Sequence, residues 1–147
     1  MLKKQFIQLI DNCNDWKEAI KIAARPLLEN DYITNNYVTK MISNIESLGP
    51  YIIVLPKLAI PHARPEDGAK KSAISVLKVK TSVYFSENSE NEVNILIVLS
   101  SVDSNKHLST LREVLNVLSD EAHYKALLKA QSIEDIYYIF NSKKGGE

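Results

Sequence analysis

Cysteine and long apolar runs are scarce in this sequence. Cys13 is the single cysteine among 147 residues, so the chain can form neither an internal disulfide nor a cysteine-rich zinc site. Apolar runs such as Ile95 to Leu99 are strand-sized, far below the roughly 20 residues of a membrane-spanning helix. Gln8 and Asp11 interrupt the amino-terminal segment, which makes it a poor signal peptide. These absences predict a cytoplasmic protein without a disulfide.

An excess of charge of either sign is also lacking. Lysine and arginine together number 18, and aspartate and glutamate together also number 18, which gives a formal net charge of zero. Nucleic-acid binding depends on a surplus of basic side chains, so we expect no nucleic-acid partner. The sequence shows no internal repeat and no low-complexity linker. We therefore predict one domain over residues 1–147, in which residues 143–147 form a frayed polar tail.

Two helices are predicted in the first third of the chain. Asp15 with Glu18 resembles a capping box, and apolar residues then recur at helical spacing. Pro26 is expected to kink or end this helix, because proline lacks an N–H donor and crowds the preceding turn. Thr34 is expected to cap the second helix, which Gly49-Pro50 stops. The stripes comprise Trp16, Ala19, Ile20, Ala23 and Leu27 in the first helix and Val38, Met41, Ile42 and Ile45 in the second.

Strand-like segments fill the middle of the chain, and helical periodicity returns in the last third. Val93 to Leu99 is apolar on both faces except at Asn94, which predicts a central strand covered on both sides. Helices at both ends around grouped strands predict an α/β fold, with a mixed sheet sandwiched by helices. The other predicted strands are residues 51–55, 58–60 and 73–79. The last helices are predicted from Leu108, Leu111, Val114, Leu115 and Leu118, from Tyr124, Leu127 and Leu128, and from Ser132 through Phe140.

His62 is the first candidate for chemistry. It follows a short apolar strand, and Pro61 and Pro65 bracket it in a stiff, non-helical turn. Neutral imidazole is a good nucleophile near pH 7 and suits phosphoryl transfer. Arg64, two residues on, points the same way in an extended turn and offers a planar fork of donors for phosphoryl oxygens. The alternative is an ordinary loop histidine beside a solvated arginine.

His107 is the second candidate. It shares one arc of the helical wheel with Leu111, Val114 and Leu118, so it faces inward in the first turn of its helix. Backbone N–H groups and the positive end of the helix dipole favour an anion there. The alternative is a partly buried core histidine that only makes packing contacts. His123 is expected on the surface.

These residues together resemble the IIA domains of the bacterial phosphoenolpyruvate-dependent sugar phosphotransferase system, of the mannitol, fructose and ascorbate type. The resemblance runs over nearly the whole chain and is greatest to the ascorbate-type branch. Its most specific part is the run Pro-His-Ala-Arg-Pro-Glu-Asp-Gly at residues 61–68, preceded by Gly-Pro-Tyr at 49–51. The segment that opens with His107-Leu108-Ser109-Thr110-Leu111 also matches. Lys57 departs from the pattern, since relatives often carry glycine there.

The resemblance implies a mixed five-stranded sheet and a phosphocarrier function. His62 matches the histidine that takes a phosphoryl group from the carrier protein HPr and passes it to a cysteine of a IIB protein or domain. That transfer is coupled to uptake of a sugar-like substrate, with ascorbate as a candidate, by a membrane IIC permease. His107 matches the second, non-phosphorylated active-site histidine, whereas the charge-stabilising role of Arg64 rests on physical grounds. No metal or organic cofactor is expected.

Two other functions compete with this interpretation. In a regulatory module of the same type, the phosphorylation state of His62 would be a signal, and no IIB cysteine would accept the group. A hydrolase or metal site built on His62, His107 and Asp67 is the other alternative. It is disfavoured because the sequence has no HExxH motif, no paired cysteines and no G-x-S-x-G elbow.

Overall fold

The computed structural model describes residues 2–142, which form a five-stranded sheet flanked by five α-helices. The α/β prediction is confirmed, whereas the expected tail at 143–147 lies outside the described residues. The strands are β1 (Ile7–Ile10), β2 (Ile53–Leu55), β3 (Lys57–Ala59), β4 (Ala73–Tyr84) and β5 (Glu92–Ser100). The helices are α1 (Trp16–Glu29), α2 (Asn35–Leu48), α3 (Ser104–Leu118), α4 (Glu121–Lys129) and α5 (Ile133–Asn141).

The sheet is mixed and has the strand order β1-β4-β5-β3-β2. Strand β5 lies at its centre, antiparallel to β4 and parallel to β3, with Val93 and residues 95–99 buried. This confirms the predicted central strand. Strand β1 was not predicted; it is an edge strand that pairs in parallel with β4 from Ile7 opposite Val76 to Ile10 opposite Val79. Only Ile7 of its four residues is buried, so the alternation that marks a strand is too short to recognise.

Helices cover both faces of the sheet, as two hydrogen bonds from β4 show. The Ser75 hydroxyl donates to the carbonyl oxygen of Ala23 in α1 at 2.7 Å. The Lys78 ammonium, three residues further along the strand, donates to the carbonyl oxygen of Leu128 at the end of α4 at 2.6 Å. Side chains three apart in a strand point to opposite faces. Helices α1 and α4 therefore lie on opposite faces, and the buried core occupies both layers between helix and sheet.

The predicted helix ends are confirmed by their hydrogen bonds. The Asp15 side chain accepts from the backbone N–H of Glu18 at 2.8 Å, and the Thr34 hydroxyl accepts from Tyr37 N–H at 3.3 Å. Each bond satisfies a donor that a helix amino terminus otherwise leaves unpaired. At the other end of α2, Gly49 adopts a φ of 83°, a conformation that glycine enters without a Cβ penalty.

Pro26 does not end its helix, which was one of the two outcomes that the sequence predicted for this residue. Helix α1 continues through Pro26 to Glu29, and Pro26 is itself buried. A proline at this position leaves the carbonyl oxygen of Ile22, four residues earlier, without its helical donor. The side-chain amide of Gln8 in β1 supplies a replacement and donates to that oxygen at 2.7 Å. A long-range contact that the local pattern cannot reveal therefore keeps the helix intact.

The predicted apolar face of α3 is only partly buried. Val114 and Leu118 are buried, whereas Leu108 is 48% and Leu115 is 38% exposed. The helix packs on the sheet through a narrow stripe, and apolar residues beside the stripe remain at the surface. His123 is also less exposed than expected, because its Nδ1 lies 3.3 Å from the carbonyl oxygen of Val117.

Candidate functional site

Parallel pairing of β3 with β5 brings the two predicted histidines together. The carboxyl ends of parallel strands lie at the same edge of a sheet, where open α/β sheets commonly hold their sites. The pairing continues beyond β3 through a 3.0 Å hydrogen bond from Leu99 N–H to the carbonyl oxygen of Pro61. His62 follows at once, and α3 begins shortly after β5 and carries His107 in its first turn. The imidazole centroids of His62 and His107 are 5.1 Å apart, with ring planes inclined by 59°.

The tautomer of His62 follows from its local hydrogen bond. Nδ1 of His62 lies 2.8 Å from the carbonyl oxygen of Ile60. A carbonyl oxygen only accepts, so Nδ1 carries the hydrogen of this bond and Nε2 keeps the lone pair of the neutral ring. The ring is half-buried, and Tyr51 packs edge-on against it at a centroid distance of 6.0 Å. These contacts hold the His62 ring in one orientation, with the Nε2 lone pair free of the bond to Ile60.

His107 is held as a neutral imidazole. Its backbone N–H donates to the carbonyl oxygen of Asp103 at 2.9 Å, and the Asp103 side chain caps α3 by accepting from Lys106 N–H at 2.7 Å. Burial lowers the pKa of His107 below its ordinary value, and the nearby His62 lowers this pKa further. Both effects disfavour the imidazolium form. Near neutral pH His107 is thus a neutral group able to donate or accept a hydrogen bond.

A cavity of about 550 Å³ opens beside the two rings. Arg64 and Lys40 contribute cationic side chains to its wall, and Asp67 contributes a carboxylate. Asp67 also closes the His62 turn, since its side chain accepts from Arg64 N–H at 3.1 Å. Ser104, the first residue of α3, lines the same wall. The cavity therefore offers an excess of positive charge to a bound anion.

Helix α2 also contributes to this cavity, which was not predicted from the sequence. Lys40, Asn44 and Leu48 recur every four residues and therefore lie on one face of α2, which forms one wall. Tyr51, just beyond the helix, lines the cavity as well. The regular spacing of the three residues was visible in the sequence. What it lacked was any sign that this face of α2 meets the His62 turn, because that contact depends on how helix and sheet pack.

Metal-binding clusters and membrane-spanning helices are both absent from the part of the chain that the structure describes. Residues 2–142 contain no cluster of three or more histidine, cysteine, aspartate or glutamate side chains placed to hold a metal ion. Within the same range, every helix is too short or too polar to cross a membrane.

The fold and the site define an α/β protein with two neighbouring imidazoles beside a cationic cavity at the carboxyl edge of a mixed sheet. Comparison with protein families gives this class a name. The model of the family described as "Phosphoenolpyruvate-dependent sugar phosphotransferase system, EIIA 2" matches residues 1–143, and the chain belongs to this family. It is thus an EIIA component of a phosphotransferase system that serves sugar uptake.

Relatives of two substrate types resemble the chain. An ascorbate-specific EIIA component of Salmonella typhimurium is 32% identical over 131 residues, covering 88% of this chain and 85% of the relative. A mannitol-specific cryptic enzyme IIA component of Escherichia coli is 36% identical over 135 residues, covering 92% and 91%. The solution structure of an Escherichia coli enzyme IIA of that mannitol-specific cryptic type superposes with a TM-score of 0.90 at 32% identity, covering 97% and 96%.

Proposed function

We propose that the chain acts as a cytoplasmic phosphocarrier in which Nε2 of His62 accepts a phosphoryl group from the phosphohistidine of HPr. The group then passes to a cysteine of a IIB protein or domain that works with a membrane IIC permease. The observation that carries the proposal is the 2.8 Å contact between Nδ1 of His62 and the Ile60 carbonyl oxygen. It leaves the lone pair on Nε2, the nitrogen that must attack phosphorus.

The proposed reaction consists of two displacements at phosphorus. In the first, the Nε2 lone pair of His62 forms an N–P bond while the N–P bond of the donor phosphohistidine breaks, and the electron pair returns to the donor ring. In the second, a thiolate of IIB forms an S–P bond while the N–P bond to His62 breaks, and the electron pair returns to Nε2 of His62. Neither step uses water. The half-buried position of His62 restricts the access of water to the phosphoryl group and thereby limits its loss by hydrolysis.

The surrounding groups are suited to the charge of the transferred group. A phosphoryl group in transfer spreads negative charge over three oxygens, and catalysis consists mainly of positioning and electrostatic stabilisation. Arg64 and Lys40 bring positive charge to the cavity wall. His107 lies beside His62 as a hydrogen-bond partner for a phosphoryl oxygen, and the amino terminus of α3 faces the same cavity. In this proposal His107 and Arg64 stabilise the group, and His62 alone carries it.

Exposed apolar side chains around the cavity suit a protein partner better than a small molecule. Leu48 is 71% exposed and Tyr51 is 44% exposed, and both line the cavity. Val102 and Leu108, which flank the amino-terminal turn of α3, are each 48% exposed. Such a ring of apolar groups around a polar centre is typical of a transient docking surface. We propose that HPr and IIB dock here in turn, since both must bring their reactive atoms to the same nitrogen.

The comparisons support this partner assignment and a sugar-like substrate. One solved structure with this fold, at 22% identity and a TM-score of 0.83, is a complex of the mannitol enzyme IIA of Escherichia coli with its phosphorylated enzyme IIB. Curated relatives are ascorbate-specific and mannitol-specific. For this chain we propose coupling to uptake of a sugar-like substrate, with ascorbate tested first and mannitol second.

The proposal is tested by intact-mass measurement after incubation with phosphoenolpyruvate, enzyme I and HPr. We expect wild type to gain about 80 Da, one phosphoryl group, and to lose it in mild acid. His62→Ala should gain nothing. His123→Ala is the matched control, since it removes the half-buried histidine of α4, and it should gain the same mass as wild type. A gain of mass in His62→Ala would refute the proposed role of this residue.

A second stage separates the transport role from a regulatory one. Phosphorylated wild type is mixed with candidate IIB proteins, and the phosphoryl group is followed to the IIB cysteine. Transfer of the phosphoryl group to an ascorbate-type or a mannitol-type IIB protein supports the transport role and indicates the substrate. Retention of the group in the presence of active IIB proteins of both types would favour the regulatory alternative.

A further inference from the structure

Tyr37 places a hydroxyl group between the two backbone segments that carry the paired histidines. Its side chain is fully buried on α2. The hydroxyl accepts from Ala63 N–H at 3.1 Å and donates to the carbonyl oxygen of Leu99 at 2.7 Å. The carbonyl oxygen of Ala63 is also within 3.2 Å. One phenol oxygen therefore joins the His62 turn to the end of β5.

This connection occurs where direct strand pairing ends. Leu99 N–H still bonds the Pro61 carbonyl oxygen directly, but the carbonyl oxygen of Leu99 reaches the turn only through Tyr37. The hydroxyl thus takes the place of the next rung of the ladder. On one side it bonds to Ala63, the residue after His62. On the other side it bonds to Leu99 in β5, the strand that precedes α3 and His107.

The protonation state of Tyr37 suits this pair of hydrogen bonds. Burial raises the pKa of Tyr37 to about 12, so the phenol keeps its proton at neutral pH. A protonated hydroxyl donates one hydrogen bond and accepts others, as Leu99 and Ala63 require. A phenylalanine would fill the same space and would leave the Ala63 N–H and the Leu99 carbonyl without this partner.

We propose that Tyr37 is a positioning residue for phosphoryl transfer, whose hydroxyl fixes the His62 turn against the end of β5 and thereby sets the orientation of His62 toward His107. This inference rests on the proposed phosphocarrier function. It adds a residue outside the Pro-His-Ala-Arg run, one that does not touch the phosphoryl group. Small misplacements of a reacting atom lower rates strongly, because the reaction requires near in-line alignment.

The test is Tyr37→Phe, compared with Tyr32→Phe as the matched control. Tyr32 also has a hydrogen-bonded hydroxyl, which accepts from the Lys3 ammonium at 3.0 Å, but this partner belongs to the amino-terminal segment and not to the His62 turn or the end of β5. Initial rates of phosphorylation are measured over a range of phospho-HPr concentrations, well below the melting temperature of each variant. We expect Tyr37→Phe to lower kcat by about ten-fold or more, with KM changed less than about two-fold. Tyr32→Phe should leave both constants unchanged.

A second readout separates positioning from a purely structural role. In wild type, ¹⁵N NMR of the His62 ring should show hydrogen on Nδ1 and a free Nε2, and the Ala63 amide should exchange slowly with solvent. In Tyr37→Phe the Ala63 amide should exchange faster and the His62 ring should lose its single tautomer. The wild-type measurement alone tests the geometry if Tyr37→Phe does not fold, since rapid exchange of Ala63 in wild type would overturn the proposal.

The outcomes distinguish this inference from the function on which it rests. If wild type takes no phosphoryl group, the proposed function fails. If wild type is phosphorylated and Tyr37→Phe keeps its kcat and its His62 tautomer, the function stands and the positioning role of Tyr37 is wrong. A fall in rate that only matches the unfolded fraction of Tyr37→Phe, with the tautomer unchanged in the folded molecules, would also overturn it.

Discussion

The rings of His62 and His107 lie 5.1 Å apart at the carboxyl edge of the sheet, although 45 positions of chain, from 62 to 107, separate them. Two imidazolium ions at this distance would repel each other, so the arrangement favours at least one neutral ring. The lowered pKa of His107 agrees with this expectation. In the proposed function, the pair thus combines His62 as a fixed nucleophile with a neutral His107 that can hydrogen-bond to the phosphoryl group.

The first prediction concerns the contribution of His107 to the rate. His107→Ala should slow phosphorylation of His62 by about ten- to a hundred-fold, because the phosphoryl oxygens lose one hydrogen-bond partner. The protein should remain folded, since His107 is only half-buried in the first turn of α3. Rates are measured by intact mass on a short time scale, and folding by circular dichroism. An unchanged rate in His107→Ala would remove His107 from the mechanism.

The second prediction concerns the titration of His107. In wild type its pKa, measured by NMR of the ring, should lie below the ordinary value of about 6.5. Burial is the larger cause and His62 the smaller one. In His62→Gln the pKa of His107 should therefore rise but stay below the ordinary value. A return to the ordinary value in this variant would show that repulsion by His62, not burial, dominates.

The third prediction follows from the same shift and concerns stability against pH. Because folding lowers the pKa of His107, the unfolded chain binds the proton more readily than the folded one. The contribution of His107 to the free energy of unfolding is complete above the unfolded pKa. It is lost as the pH falls from that value to the folded pKa. Urea unfolding of wild type and His107→Gln over this interval should show a smaller decline in the variant, and parallel curves would contradict the prediction.

The fourth prediction tests the replacement hydrogen bond in α1. Gln8→Ala should lower the free energy of unfolding by about 1 kcal/mol, because the Ile22 carbonyl oxygen loses its donor. In a Pro26→Ala background the restored backbone N–H can serve that oxygen, so the same substitution should cost less than half as much. Gln5→Ala, at an exposed position, is the control and should change stability by less than about 0.5 kcal/mol. Equal costs of Gln8→Ala in both backgrounds would show that Gln8 does not compensate for the proline.

The fifth prediction concerns the glycine that closes the His62 turn. Gly68 has a φ of 132°, and a Cβ there would lie 1.9 Å from the hydroxyl oxygen of Thr34. Gly68→Ala should therefore cost about 3 kcal/mol, from backbone strain together with displacement of the Thr34 cap. Gly49→Ala meets no atom within 4 Å at a φ of 83° and should cost about 1–2 kcal/mol from backbone strain alone. Thermal unfolding gives both values, and equal costs would show that the contact with Thr34 is relieved easily.

Much of the fold could be predicted because its signals are local. The caps at Asp15 and Thr34, the stop at Gly49 and the apolar central strand β5 each depend on a few neighbouring residues. The failures depend on distant contacts. Strand β1 is defined by its pairing with β4, and α1 passes through Pro26 with help from Gln8. Strand β4 also extends to Tyr84, beyond the predicted end at residue 79, because pairing with β5 resumes at Val83 after a register shift.

The candidate site likewise has features that short segments of sequence predict and features that only tertiary packing determines. His62 and His107 could be selected from proline context and helical phase, both of which are properties of short segments. Neither property places Tyr37 or Lys40 beside them, since that requires the packing of α2 against the sheet. The tautomer of His62 likewise depends on where the Ile60 carbonyl oxygen points after β3 has ended.

The parallel pairing of β1 with β4 has a consequence for the order of folding. Strands β4 and β5 meet through a short connection, with Tyr84 opposite Glu92, so their contact closes a small loop. Pairing of Ile7 with Val76 closes a much larger loop of chain. Closing that loop costs more entropy and is therefore slower. In refolding of the complete chain, we expect the hairpin to form early and the first strand to join last. The edge where β1 docks is then the place at which an incompletely folded chain exposes an unpaired strand to its neighbours.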